Sequence, residues 1–225
     1  MVLFFEKFFF TYIGFYAIIN KIEIKRQGVL GMFFIQKSEK LEEVLLQQMK
    51  PPKWKTKDMT KMALCVAILC ATSFFVVPLP FTPVVISLQT IAINIIGLIL
   101  SPIQAGTTVL IYLLMGLIGL PVFSAGTAGP AKLFGPTGGF YFGFLLAVII
   151  ISLFRGKRDS MKRYMCVLLV LGMPIQHICA ILGMCIHNGW NVPAAFATVS
   201  LPFIIGDIIK CFMSSMVGVA LNRVL

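Results

Sequence analysis

The sequence predicts an all-α membrane protein: a six-transmembrane-helix bundle with a long ordered glycine-rich third loop. Three observations carry that prediction. The 225 residues are 59% hydrophobic with a mean hydropathy of +0.96, far above a soluble domain. From Leu64 to Phe154 the only lysine, arginine, aspartate or glutamate is Lys132, and from Tyr164 to Leu225 there are only Asp207, Lys210 and Arg223. The remaining basic residues of the apolar region fall in short clusters between apolar runs, as the cytoplasmic rim of a bilayer protein requires.

Residues 1–56 read differently from the rest. Val2 to Ile19 is rich in phenylalanine but carries Glu6 and Lys7, and Lys37 to Lys50 is polar. The start lacks the basic region and small-residue cleavage site of a secretory signal. Two readings stand for this extension: an upstream choice of start codon, with Met32 and Met49 as later starts, or a genuine extra element of unknown role. The core domain is expected over 57–225.

Within the core, apolar spans are expected at 62–78, 84–101, 103–119, 137–154, 164–186 and 199–222. The second and third are short for a crossing, and their junction is only Ser101-Pro102, a tight turn. Lys50, Lys53, Lys55, Lys57 and Lys61 precede the first span. Arg155, Lys157, Arg158, Lys162 and Arg163 join the fourth to the fifth, and Arg223 ends the sixth. An even number of spans puts all of these on one side, so both ends of the core are expected on the cytoplasmic side of the cell membrane. The opposite side receives Pro78 to Pro83, the Gly119 to Gly139 loop and His187 to Pro193.

The third loop holds glycine at 119, 126, 129, 135, 138 and 139. Such backbone is tolerated at membrane depth only when protein covers it or it lines a polar cavity. Thr137 is expected to cap the fourth helix and to leave the amides of Gly138 and Gly139 aimed at an anion or carbonyl. Asp207 and Lys210, spaced i,i+3, share one helix face, and a charge near mid-helix costs roughly 2.5–3.5 kcal/mol on the insertion scale. Two readings stand for them: a structural ion pair, or a polar site holding a polar solute inside the membrane, with Lys132 as its third member. Ala63, Ala67 and Ala71 repeat every four residues on the first span, where small side chains admit another helix or form an internal seam.

Other classes fit poorly. The net charge of +11 lies in rim clusters rather than among interleaved aromatics, so a nucleic-acid surface is not expected. No phosphate-binding GxxxxGK followed by Ser or Thr exists in the chain, nor HExxH, nor a Ser/His/Asp set, so neither an ATPase nor an obvious catalytic constellation is expected. Cys65, Cys70, Cys166, Cys179, Cys185 and Cys211 lie in apolar segments without metal spacing, so no metal or cofactor is expected. His177 and His187, each without a carboxylate in its own segment, read as packing or interfacial residues.

Taken together, residues 57–225 resemble the biotin-specific substrate-binding subunit (S-component, the BioY family) of energy-coupling-factor transporters. Pro80-Phe-Thr-Pro83 followed by Ser87-Leu-Gln89-Thr90 is similar to the family's first-loop PxTPVPxTLQT. Gly119-Leu-Pro-Val-Phe123 and Gly135-Pro-Thr-Gly-Gly139 match its third-loop GLPVF and GPTGG, and Pro202-Phe203, Gly206-Asp207 and Lys210 its sixth-helix PFxPGDxxK. Ile205 and Val85 replace prolines of the pattern, Phe140 a tyrosine, and Ser124-Ala125-Gly126 an Ala-Gly-Gly. The resemblance implies a six-helix bundle that binds biotin in a pocket open to the outside. A separate transmembrane coupling subunit and two ATPase subunits would energise uptake, with Ala63, Ala67 and Ala71 as the docking stripe. It implies a substrate-binding set of Ser87, Gln89, Lys132, Gly135, Thr137, Gly138, Asp207 and Lys210, with Tyr112 and Phe123 as walls. A subunit for another small vitamin is the alternative, followed by an intramembrane enzyme acting on lipid and a stand-alone secondary carrier.

Overall fold

Residues 55–78, 84–156, 160–189 and 191–224 are described by a computed structural model, all within one compact unit, Pro51–Leu225. The expected N-terminal extension, apart from Lys55 and Thr56, lies outside the described residues, as does the Pro80-Phe-Thr-Pro83 motif.

The chain is mostly helical. Helix α1 (Thr56–Thr72) stops short of the expected end at 78, because Val76–Val77 (β1) pair antiparallel with Ile86–Ser87 (β2). Branched side chains suit that extended pairing. The pairing also removes residues 84–88 from the expected second span, so α2 (Gln89–Ile99) has only 11 residues, about 16 Å of helix. The Ser101-Pro102 turn is present as expected. Proline occupies the first turn of α3 (Pro102–Leu117), where its missing N–H costs nothing, and the Ser101 N–H donates to Gln104 Oε1 at 3.2 Å.

The loop after α3 contains a short 3-10 turn (Ser124–Gly126) and one helical turn, α4 (Pro130–Leu133). Its backbone enters the left-handed region at Gly119, Gly126 and Gly129, and also at Ala125, the one non-glycine position with positive φ among the described residues. Ala125 is held there because its N–H donates to Ser73 O at 3.0 Å while neighbouring Ser124 is bonded on both backbone and side chain. Helix α5 (Gly138–Phe154) follows.

Met161–Val167 (α6), a π-helical turn at Leu168–Gly172 and Met173–Asn188 (α7) form one continuous rod. Pro174 accounts for the wide turn: it has no N–H for the ladder, and its ring collides with the carbonyl of the preceding turn in a regular helix. The expected span at 199–222 corresponds to α9 (Ile204–Val224), which starts later than expected, and a separate short helix, α8 (Val192–Val199), precedes it. Pro202 sits in the break, and the residue before a proline is pushed out of helical backbone.

Helix α5 packs on α2, α3 and α7, while α9 packs on α2 and α6. The α5–α7 contact is unusually close, and glycine makes it so. A Cβ at Gly139 would stand 2.2 Å from Cys179 O, and one at Gly143 would meet Gln176 Cα at 3.1 Å. Gly139 and Gly143 form a small-xxx-small seam in which backbone meets backbone. The alanine stripe is not such an internal seam: Ala63, Ala67 and Ala71 are all exposed.

Two apolar clusters form the core. One joins Leu98, Ala147, Ile151, Tyr164, Leu168 and Cys211; the other joins Val84, Ala180, Met184, Ala195, Val199 and Phe203. Outside the core, Leu64, Ile118, Ile186, Ile205, Ile209 and Phe212 are exposed, an apolar exterior that suits lipid rather than water. Among the described residues Met161–His187 and Ile204–Val224 are long and apolar enough to cross a membrane, and α2, α3 and α5 are shorter apolar helices.

Candidate functional site

Along α7 and α9 the polar residues Gln176, His177, Asp207 and Lys210 fall between members of the two apolar clusters. They border a cavity that is continuous with solvent. Five residues expected from the sequence line it: Ser87 from β2, Lys132 from α4, Thr137 before α5, and Asp207 and Lys210 from α9. Two separate segments of the chain, the glycine-rich loop and α9, therefore bring the three charges to one space.

The centre of the site is a triad of side chains. Lys210 Nζ donates to Asp207 Oδ1 at 2.8 Å, and His177 Nε2 lies 3.1 Å from Asp207 Oδ2. Only 12% of the Asp207 side chain and 10% of each partner's is exposed. The two residues on α9 are four-fifths of a turn apart and meet as i,i+3 neighbours do. His177 arrives from α7, carried against the cavity by the glycine seam with α5.

His177 corrects the expectation that it only packs. Its carboxylate partner stands on another helix, 30 residues on. The π turn at Leu168–Gly172 also breaks the helical phase ahead of it, so periodicity could not assign its face. Sequence reasoning had one available signal: an imidazole inside an otherwise apolar run needs a polar partner.

Lys132 stands apart from the triad on the glycine-rich loop, half-buried, and burial lowers its pKa from the usual lysine value. Among the described residues no carboxylate pairs with it.

Gln89, Tyr112 and Phe123 do not line the cavity; they are wholly buried behind it. Gln89 Nε2 donates to Tyr112 Oη at 2.7 Å, and Ser124 Oγ donates to Gln89 Oε1 at 2.7 Å. The Ser124 N–H donates to Tyr141 Oη at 3.2 Å, and the Phe123 ring contacts those of Tyr112 and Tyr141. This network joins the loop to α2, α3 and α5, and so fixes where Ser124 meets the cavity. The apolar wall expected of Tyr112 and Phe123 is supplied by Phe140, Tyr141, Phe144 and Phe203.

Thr137 holds the N-cap position of α5, but its side chain makes no capping bond and lines the cavity instead. Gly135 and Gly138 do not line it, and the Gly138 amide is already given to Gly135 O at 2.8 Å. The expected pair of free amides is thereby reduced.

The arrangement can hold a solute with both polar and apolar parts. It supplies an ammonium donor, a carboxylate acceptor, an imidazole, hydroxyls at Ser87, Thr90, Ser124 and Thr137, and aromatic faces. Among the described residues no group of three or more His, Cys, Asp or Glu side chains could hold a metal.

The chain is similar to known proteins of one family. The sequence model described as "BioY family" matches residues 45–225. A biotin transporter, BioY2 of Lactococcus lactis subsp. cremoris, is 32% identical over 173 residues, covering 76% of this chain and 93% of the relative. A probable biotin transporter of Pyrococcus horikoshii is 33% identical over 156 residues, covering 69% and 90%. The crystal structure of an S-component for biotin from an ECF-type ABC transporter superposes with a TM-score of 0.70 at 25% identity, covering 77% of this chain and 95% of that one. The structure of FolT with folic acid, at 23% identity and a TM-score of 0.54, shares the fold.

Proposed function

The chain belongs to the BioY family, and from that premise we propose that it binds biotin in the cavity beneath the glycine-rich loop, as the substrate-binding subunit of an energy-coupling-factor transporter. It is a membrane transport subunit rather than an enzyme.

The observation that carries the proposal is the buried Asp207–Lys210–His177 triad opening on a cavity that also receives Lys132. Biotin combines a carboxylate, a ureido ring with two N–H donors and one carbonyl acceptor, and an apolar thiophane ring and chain. Each has a matching group in the lining. Ser87, Thr137, Asp207 and Lys210 are the proposed polar contacts, with Lys132 as the cation on the loop. Gln89, Tyr112 and Phe123 act behind them by holding Ser124 in place, and Gly135 and Gly138 shape the turn that presents Thr137.

The proposed assembly has six membrane crossings, made by α1, α2, α3, α5, the α6–α7 rod and α9. The basic clusters before α1, between α5 and α6, and at Arg223 lie in the cytoplasm of the cell membrane. The exposed Ala63, Ala67 and Ala71 face supports docking of a transmembrane coupling subunit, which two ATPases would drive. Residues 1–56 stand outside the binding domain in this proposal.

The test is the small molecule that the protein carries. Purified in mild detergent and denatured, it should release unchanged biotin in about equimolar amount. Release of a different vitamin, or equilibrium binding that favours one over biotin, overturns the proposal.

A further inference from the structure

Helix α7 brings a second polar side chain to the cavity beside His177. Gln176 is 4% exposed, lies in the cavity wall, and is the only side-chain amide among the described lining residues. Its backbone is held by α5: a Cβ at Gly143 would meet Gln176 Cα at 3.1 Å and Gln176 O at 3.2 Å. Carried by that close packing, Gln176 borders the same space as Asp207 and Lys210.

A chain of bonds behind the cavity orients the amide. Asn94 of α2, itself 2% exposed, donates from Nδ2 to Cys211 Sγ of α9 at 3.8 Å. Asn94 Oδ1 is then the acceptor, and Gln176 Nε2 donates to it at 3.5 Å. The other arm of the Gln176 amide is left over: Oε1 has no hydrogen-bond partner among the described residues. The fully buried side-chain atoms without a partner are, among the described residues, Ser101 Oγ, His177 Nδ1, Ser200 Oγ and Ser214 Oγ. Gln176 Oε1 is not one of them, so it keeps access to open space, and the space that Gln176 borders is the cavity.

The chemistry of its partner follows. Asp207 Oδ1 already receives Lys210 Nζ, and Oδ2 is already paired with His177. Gln176 Oε1 is an uncommitted acceptor in the same wall, and an amide oxygen can only accept. A solute that displaces water from it without offering a donor leaves it unpaired, at a cost to binding.

We propose that Gln176 is a specificity residue of the binding site: its Oε1 accepts a hydrogen bond from one ureido N–H of biotin, with Asn94 as the positioning residue that aims it. The inference rests on the functional reading above and deepens it. It assigns a ligand contact to α7, the helix from which the sequence motifs offered none.

The contact is tested by removing the acceptor and the donor separately and together. Gln176→Met keeps the length of the side chain and removes the oxygen. Gln176→Asn keeps the amide but is one methylene shorter, too short to hold Asn94 and reach the cavity at once. The ligands are biotin and its two cyclic carbamate analogues, in which one ureido N–H is replaced by oxygen, so that one donor is lost without added bulk. Equilibrium binding to detergent-purified protein is measured for each pair, with thermal unfolding as the folding control.

Gln176→Met and Gln176→Asn should each lose at least about tenfold in biotin affinity. One carbamate should bind the parent at least about tenfold more weakly than biotin does, yet bind Gln176→Met about as well as biotin does, because two changes to one bond do not add. A folded Gln176→Met that binds biotin like the parent overturns the inference. So does a variant in which both carbamates lose the same factor as in the parent, which leaves Gln176 a packing role only. If Gln176→Met fails to fold, Gln176→Asn carries the same comparison. A parent that binds both carbamates like biotin overturns the inference without any variant. A parent that does not bind biotin overturns the functional reading itself, and this inference with it.

Discussion

Removing the charges of Asp207 and Lys210 together distinguishes a ligand site from a structural ion pair. The two atoms are 2.8 Å apart and their side chains are 12% and 10% exposed, so both charges have lost most of their hydration. Breaking such a pair from one side leaves a buried charge uncompensated, at a cost of roughly 3–5 kcal/mol; replacing both partners is often neutral or stabilising. Lys210→Met alone should therefore lower the unfolding midpoint, since Asp207 keeps only His177. The double variant Asp207→Asn, Lys210→Met should recover it. Asparagine is the right replacement because its amide oxygen still accepts from His177 Nε2 at the position of Oδ2. Folding and binding then part company. If the pair reads biotin, the refolded double variant leaves the ligand's polar groups without partners in a desolvated cavity. Its affinity should fall at least about tenfold, or about 1.4 kcal/mol, and more if both partners contact the ligand. The assay is equilibrium binding to detergent-purified protein beside thermal unfolding. A double variant that unfolds like the parent and binds biotin like the parent refutes the ligand-site reasoning and leaves a structural ion pair.

Gly139→Ala gains roughly 1 kcal/mol of helix propensity, but its methyl would stand 2.2 Å from Cys179 O, a backbone atom that cannot rotate away. Overpacking of this kind costs roughly 1–3 kcal/mol, so the unfolding midpoint should fall; an unchanged or higher midpoint would mean that α5 and α7 separate easily. Ala63→Trp or Ala67→Trp, on an exposed face away from the cavity, should abolish ATP-driven uptake while biotin binding persists. Equal loss of both would assign the stripe to folding rather than docking. In a background without native cysteines, a cysteine at position 127 should react with an impermeant reagent on intact cells and one at 158 should not. Labelling of 158 from outside breaks the six-crossing topology. Translation from Met49 should leave binding intact, and a folded but non-binding product would show that the N-terminal extension belongs to the site.

The sequence by itself determined the class of protein and the identity of the charged residues. Their rarity is the reason: in a chain this apolar, Lys132, Asp207 and Lys210 stand out without any coordinates, and i,i+3 spacing alone brings two of them together. The Ser101-Pro102 turn was equally legible, because proline acts on its own backbone. What depends on contacts between distant segments was not legible. The β1–β2 pairing shortens α1 and α2 on either side of a loop, and Pro202 delays the start of α9 within an apolar run. Close approach belongs to Gly139 and Gly143, which only the facing atoms of α7 reveal, whereas the alanine stripe that looks like a seam is uncovered. Gln89 and Tyr112 carry the right polarity for ligand contact, yet they satisfy each other behind the cavity. His177 shows the same division most clearly. Its residue type was visible, but its meaning came from an aspartate 30 positions away and from a π turn that sets the face it presents. Periodicity reads a helix against itself, and a binding site is made where helices face one another.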